Sequence, residues 1–373
     1  MAALLEKIKL LKGLHTGETA YVGPFYTTVD ITRRCNLSCP GCRYHSAFMK
    51  MIPSPGDQEV MDLPFALFIR ICDELQSMGT RNIILIGEGE PFLHPHLLDL
   101  IVTAKDAGLH VTLLTNGTLL DEKRIQPLID SRLDILKVSL WGSSEEEYEC
   151  NYPGADSKNF EKIISGLKCL SSTKAAQKSK LPSVVLHTPI TRHNFQSLAK
   201  RVELAHETGC NVLTFSPLKT RGGELAGETL ATDEERQVAI TLSRIEGQLN
   251  SLSIKHNINE ALLRYRIGEA VWQKLSCYIA WLHVRIKVDG TVLPCNPCEL
   301  PIGNLHENNF HEIWNGLAIK NFRRQVLSCQ GLAEMTLHCD CGYCCHTLDN
   351  WRMDRVFRWL SPFLGTRRLS RAS

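Results

Sequence analysis

The sequence predicts an α/β protein: six β/α units building a parallel sheet, open or curled into a partial barrel, followed by a small cysteine-rich region with a β-hairpin. Three observations predict it. Short β-branched runs alternate with helix-period stretches between residues 24 and 217, glycines stand where those helices should stop, and from Cys277 onward cysteines gather around an Asp289-Gly290 turn.

The strand candidates are "FYTTVDIT" (25–32), "NIILIGEG" (82–89), "HVTLLTN" (110–116), "ILKVSLW" (135–141), "SVVLHTPIT" (183–191) and "NVLTFSP" (211–217). Most are apolar and β-branched, as strands covered on both faces should be. Between them, residues 62–79 and 96–108 read as amphipathic helices ending at Gly79 and Gly108. Polar or glycine-rich residues follow the strands: cysteines after the first, 87–91 after the second, Asn116-Gly117 after the third. In parallel α/β folds the C-terminal strand ends carry the chemistry, so the thiols sit at the active end. Residues 283–295 read as a hairpin, 302–316 as a turn and short helix, and 338–346 ("HCDCGYCCH") as a metal knot. The expected division is an N-terminal helical extension (1–21), a core (22–235), a helical linker (236–276), a cysteine-rich domain (277–348) and a basic helical tail (349–373).

A net charge of +2 with 22% charged residues gives no sign of nucleic acid or membrane as partner. The N-terminus, interrupted by Glu6, Lys7 and Lys9, is neither a signal peptide nor a membrane span, which makes the cytoplasm the expected location. Fifteen cysteines in a reducing compartment suggest metal or redox work rather than disulfides. They are clustered, with three between 35 and 42 and eight between 277 and 345.

Cys35, Cys39 and Cys42 have the pattern C-x3-C-x2-C, expected by accident in about 0.02 of chains with this cysteine content. Zinc held with His45 is one reading. The other is an iron–sulfur cubane, in which three thiolates leave one iron open.

Here the sequence resembles the radical S-adenosylmethionine (SAM) superfamily, over residues 22 to 220. "GEGEP" (87–91) resembles that family's GGEP-type motif, while "TNG" (115–117), "VSLWG" (138–142) and "ITRHN" (190–194) fall where its ribose and carboxylate contacts fall. The resemblance implies a partial (β/α)6 TIM-like barrel and a SAM-binding [4Fe-4S] cluster on Cys35, Cys39 and Cys42. It also implies SAM contacts from Gly87, Glu88, Gly89, Glu90, Pro91, Asn116, Ser139 and Asn194. Glu90 is preferred over Glu88 for the SAM ammonium. Family members often carry an aromatic just before the third cysteine; here that position is Gly41, and Tyr44 is the suggested substitute.

Residues 277–348 resemble the SPASM/twitch extension of the same superfamily. The shorter twitch form, with one auxiliary [4Fe-4S] cluster on Cys277, Cys295, Cys341 and Cys344, is favoured; two clusters are the alternative. The resemblance implies reduced flavodoxin or ferredoxin as electron donor and a deoxyadenosyl radical that abstracts hydrogen from a C–H bond. The favoured outcome is oxidation of an alcohol in a small polar molecule such as a sugar or aminocyclitol, because only 24 residues precede the first strand, too few for a leader-peptide module. Peptide modification, epimerisation and dehydration are the alternatives. His187, Arg221 and Cys298 are the catalytic candidates, the first two by topology and Cys298 as a hydrogen-returning thiol.

Overall fold

The computed structural model describes residues 2–46, 60–218, 227–267, 275–328, 332, 334, 335, 339 and 344–360. Six parallel strands appear where the β-branched runs predict them: β1 (Tyr26–Asp30), β2 (Asn82–Ile86), β3 (His110–Thr115), β4 (Ile135–Ser139), β5 (Ser183–Ile190) and β6 (Val212–Pro217). The helices following them include α2 (Phe65–Ser77), α3 (Leu97–Asp106), α4 (Glu122–Asp130), α6 (Asn159–Ala176) and α7 (Leu198–Glu207). The helices α1 (Ala2–Thr16) and α5 (Glu145–Asn151) complete the N-terminal two thirds. Helix α2 buries Leu67, Phe68, Ile71, Cys72 and Leu75, at the spacing of one helical face. Gly79 and Gly108 follow α2 and α3 with positive φ, as the sequence expects.

Each strand divides its side chains between two faces. Val29, Ile83, Leu85, Val111, Leu113, Leu136, Val138 and Leu213 are fully buried in the main core. On β4 the alternate residues Ile135, Lys137 and Ser139 are only partly buried and face the lumen of the curved sheet.

Two features depart from the expected division. The region 236–276 is more than a helical linker: between α8 (Thr232–Ser251) and α9 (Ile258–Ile267) lies β7 (Lys255–His256), which pairs parallel to β6. The cysteine-rich region is not a separate body either. Its hairpin, β8 (His283–Ile286) and β9 (Thr291–Leu293), places β8 parallel to β1, and β10 (Gly303–Asn304) pairs with β9. The described strands therefore form one sheet in the order β10-β9-β8-β1-β2-β3-β4-β5-β6-β7. Helices α10 (Phe310–Trp314), α11 (Leu317–Val326) and α12 (Thr347–Leu360) follow. The N-terminal extension is pinned to them: the Asn315 side chain bonds both the N–H and the C=O of Ala20, at 2.9 and 3.0 Å. Among the described residues no helix is long and apolar enough to cross a membrane.

Candidate active site

The chain leaving β1 is clamped from two sides before it reaches the first cysteine. Leu63 N–H donates to Ile31 C=O and Arg33 N–H to Met61 C=O, both at 2.8 Å; Gly89 N–H donates to Thr32 C=O at 3.0 Å and Glu90 N–H to Arg34 C=O at 2.7 Å. Such close approach explains the glycines, since a side chain on Gly89 would overlap the Arg34 carbonyl. Beyond this clamp Cys35, Cys39 and Cys42 are free, half-buried thiols in one turn. Burial raises the Cys39 thiol to about 12, helped by the charges of Cys42 and Cys35, so the three share one electrostatic site. The N–H groups of Tyr44 and His45 point at the Cys42 sulfur, at 3.4 and 3.3 Å. This donor set fits an iron–sulfur cluster with one iron left for another ligand. A cavity of about 340 Å³ opens beside Cys35, walled by Asn36, Leu37 and Ser38 on one side and Tyr152, Pro153, Gly154 and Ala155 on the other. At Gly41 a side chain would meet the Trp141 indole at 3.5 Å, so the space left by the missing aromatic is bordered by an aromatic from the end of β4.

The residues expected to touch SAM are placed unequally. Glu90 is buried and accepts from Thr115 Oγ1 (2.6 Å), Asn116 N–H (2.7 Å) and Phe92 N–H (3.0 Å), locking the 87–91 turn onto 115–116. Pro91 starts the following 3-10 turn. Asn116 Nδ2 donates to Asn36 Oδ1 at 2.9 Å, tying the cysteine loop to β3. The Ser139 hydroxyl oxygen accepts from Trp141 Nε1 at 2.9 Å. Glu88, the less favoured of the two acids for the SAM ammonium, is in an ion pair with Arg33 (2.6 Å) and Lys287 (3.4 Å). Asn194 is buried, donates to Trp141 C=O (2.7 Å) and Pro189 C=O (2.9 Å) and accepts from Thr191 N–H (2.8 Å), so its side chain braces the turn after β5. The Tyr44 hydroxyl accepts from Arg285 Nη2 at 2.7 Å and is engaged with β8.

In the C-terminal region Cys277, Cys295 and Cys344 are buried. Asn350 links two of them: its Oδ1 accepts from Tyr278 N–H at 2.6 Å and its N–H donates to His346 C=O at 3.0 Å, drawing Cys277 toward Cys344. Cys341 lies outside the described residues, as does Arg221. Cys298 is joined to Cys339 as a disulfide with Cα atoms 4.1 Å apart, so it is not a free thiol able to return hydrogen. His187 is in the lumen, with Nδ1 3.0 Å from Thr214 Oγ1 and Nε2 3.3 Å from Ser216 Oγ. Burial, then the charges of Lys137 and Arg264, push it well below the ordinary histidine value, so it is neutral near pH 7.

The family model for the radical SAM superfamily matches residues 29–219, which include the end of β1, the cysteine turn, the 87–91 clamp and β2 to β6. The chain belongs to the radical SAM superfamily. A second model, the SPASM iron–sulfur cluster-binding domain, matches residues 277–345. The cofactors of this radical SAM protein are accordingly SAM, a SAM-binding [4Fe-4S] cluster and auxiliary iron–sulfur ligation in the SPASM region. Among its relatives, an AdoMet-dependent heme synthase from Methanosarcina barkeri is 27% identical over 314 residues, 78% of this chain and 82% of that protein. A PqqA peptide cyclase from Granulibacter bethesdensis is 23% identical over 303 residues, 79% of this chain and 74% of that protein. The fold is shared with Streptococcus suis SuiB bound to precursor peptide SuiA, at a TM-score of 0.62 and 13% identity over 85% of this chain and 70% of that one.

Sequence reasoning missed the polar lining of the lumen. Asp30 and Arg285, both buried, pair at 2.6 Å; Arg33 pairs with Glu88 and, at 3.2 Å, with Asp289; Lys287 reaches Glu88. Burial pushes the Asp30 carboxyl up against the pull of Arg285. Lower down, Tyr26 hydroxyl lies 3.0 Å from His346 Nδ1 and His283 Nε2 lies 2.9 Å from Thr28 Oγ1, joining the SPASM knot to β1. The alternation His283, Arg285, Lys287 in "HVRIKVDG" was the available signal: polar side chains with period two on one strand face.

Proposed function

We propose that the protein modifies a peptide or protein, abstracting hydrogen from a C–H bond of one residue, with reduced flavodoxin or ferredoxin as electron donor. The observation that carries this reading is the match to PqqA peptide cyclases, over 303 residues and 79% of this chain in the case named above. The SuiB likeness supports the same class of fold around a peptide substrate. Oxidation of a small alcohol, favoured by the single-cluster cysteine spacing and the short stretch before the first strand, finds no support in these relatives.

When bound, SAM and its cluster supply the hydrogen-abstracting radical, and the auxiliary centre an acceptor for the electron left on substrate. The chain's own contributions are positional. Cys35, Cys39 and Cys42 hold the first cluster; Gly87 and Gly89 let the backbone approach SAM; Glu90 fixes that turn against Asn116. Ser139 keeps its hydroxyl proton for donation, since its oxygen accepts from Trp141. Neutral His187 can take up a proton at the imidazole nitrogen not already donating. Cys277, Cys295 and Cys344, with Cys341, hold the auxiliary cluster.

The test is anaerobic incubation of the reconstituted protein with SAM, reductant and short peptides encoded beside its gene. 5′-Deoxyadenosine formed in step with a peptide losing two hydrogens supports the reading; turnover with no peptide product refutes it. A second reading, a haem precursor as substrate, is favoured by the 27% identity to the heme synthase, and the same assay with porphyrin precursors decides between them.

A further inference from the structure

The turn that carries the first three cysteines ends against the SPASM hairpin, and one guanidinium makes the junction. Arg285 stands beside Thr28 in the β1/β8 register, and its buried side chain runs forward along the sheet to three acceptors. Its Nε donates to Asp30 Oδ2 at 2.6 Å, Nη2 to the Tyr44 hydroxyl at 2.7 Å and Nη1 to Asn296 C=O at 3.3 Å. Those three lie on different segments: Asp30 closes β1, Tyr44 stands two residues after Cys42, and Asn296 follows Cys295. A planar guanidinium offers its donors in fixed directions, so the three segments are fixed relative to one another. A second ion pair joins the same two turns, from Arg43 to Glu299. The main chain of Tyr44 is used at the other end. Its N–H and that of His45 point at the Cys42 sulfur, at 3.4 and 3.3 Å. Side-chain bonds from Ser38 to His45 C=O and from Ser46 to Pro40 C=O close the turn on itself without tying it to the sheet.

From this arrangement we infer that Arg285 is a positioning residue for the SAM-binding cluster: through the Tyr44 phenol it holds two main-chain N–H groups on the Cys42 sulfur. The phenol is a strut, gripped at its hydroxyl by β8 and carrying at its backbone the first of those donors. N–H groups directed at a cluster thiolate stabilise the reduced, more negative state, which raises the potential at which an electron is accepted. Without its hydroxyl anchor the 44–45 backbone is released to turn away from the sulfur, and reduction at this site becomes harder. The C-terminal hairpin thereby tunes the N-terminal centre without contributing a ligand to it. Nothing in this step depends on the substrate, so it stands whether a peptide or a porphyrin precursor is modified.

The test is a potentiometric titration of the reconstituted holoenzyme followed by electron paramagnetic resonance, in which the signal altered by added SAM reports the SAM-binding cluster. Tyr44→Phe removes one hydroxyl and should shift the equilibrium against reduction about tenfold, the scale of one hydrogen bond to a charged group, or about 59 mV for one electron. Arg285→Lys keeps a cation beside Asp30 but lacks the fork, and should lower the potential in the same direction. The double variant should fall no further than the lower of the two, because both act on one strut. Amide hydrogen exchange of Tyr44 and His45 should speed up in each. Unchanged potentials overturn the inference, as do additive shifts in the double variant or a shift confined to the auxiliary cluster. So does a lowered melting temperature at an unaltered potential, the mark of a structural role alone. A lowered potential with unaltered exchange also overturns it, since the hydroxyl would then act by its dipole and not by position. If Arg285→Lys assembles no cluster, Tyr44→Phe decides alone, as a change that leaves the ring and its packing in place.

Discussion

Gly87→Ala tests whether the 87–91 clamp aims the cluster loop. The added carbon would stand 2.5 Å from the Gly89 carbonyl oxygen and 2.8 Å from the Thr32 carbonyl oxygen, both main-chain atoms. Restoring an ordinary contact of roughly 3.4 Å requires these atoms to retreat by about 0.9 and 0.6 Å, in a core where overpacking typically costs about 1–3 kcal/mol. Thr32 C=O is also the acceptor for Gly89 N–H at 3.0 Å, so the same movement strains a bond worth about 1 kcal/mol. Because Cys35 lies three residues beyond Thr32, the displacement passes to the first thiol. A misplacement near 1 Å costs on the order of 100-fold in rate. Reconstituted Gly87→Ala should therefore form 5′-deoxyadenosine roughly 100-fold more slowly than wild type, with a lower melting temperature. Gly247→Ala is the control: nothing lies within 4 Å of its added carbon, and a helical position predicts a gain of about 0.5–1 kcal/mol. Wild-type cleavage by Gly87→Ala would refute the clamp.

Four further outcomes are expected. The triple variant Cys35→Ala/Cys39→Ala/Cys42→Ala should make no 5′-deoxyadenosine yet keep about four irons per chain, because Cys298 is tied to Cys339 and four cysteines hold one cluster; about eight irons would instead make that pair a ligand pair. Glu90→Gln presents an amide donor to N–H and O–H donors and should cost roughly 1–3 kcal/mol, read from thermal unfolding. Arg285→Met leaves Asp30 a buried charge and should cost about 3–5 kcal/mol, whereas the double variant Asp30→Asn/Arg285→Met should lose less; an equal or larger loss in the double would contradict the pairing. His187, lowered in the fold, binds fewer protons there than when unfolded, so its effect is a loss of stability as pH falls below the ordinary value of 6.5. That loss has a slope of up to about 1.4 kcal/mol per pH unit. His187→Asn should flatten the fall between pH 6.5 and 5, and an unchanged pH profile would show that His187 is not buried neutral.

Local pattern made the first six strands legible, because apolar β-branched runs between turn residues leave little choice. Strand β7 was not, since Lys255 and His256 are two polar residues whose pairing depends on the edge that β6 offers. The β1/β8 pairing was equally hidden: contact between segments some 255 residues apart leaves no local trace. Motif position gives no direction for each side chain of 87–91 and 190–194. The partners of Glu88 and Asn194, Arg33 for the one and the Trp141 and Pro189 carbonyls for the other, therefore left no trace in the motifs. Lys137, by contrast, was readable in principle: a lysine inside "ILKVSLW" must pay for its position with a polar lumen.

The seating of β8 beside β1 also sets an order of events during synthesis. The first strand to leave the ribosome has one neighbour, β2, soon after it, and the other only when residue 283 has emerged. Until then β1 presents an unpaired edge, and the Asp30 carboxylate waits for Arg285. Contacts of such long sequence separation form late and slowly. The nascent chain therefore exposes the Cys35 turn with one flank unsupported, and its cysteines gain their final surroundings only after the C-terminal hairpin docks. Truncation before residue 277 would leave that edge permanently open, a template for strand addition from another chain, so the N-terminal three quarters should aggregate when made alone.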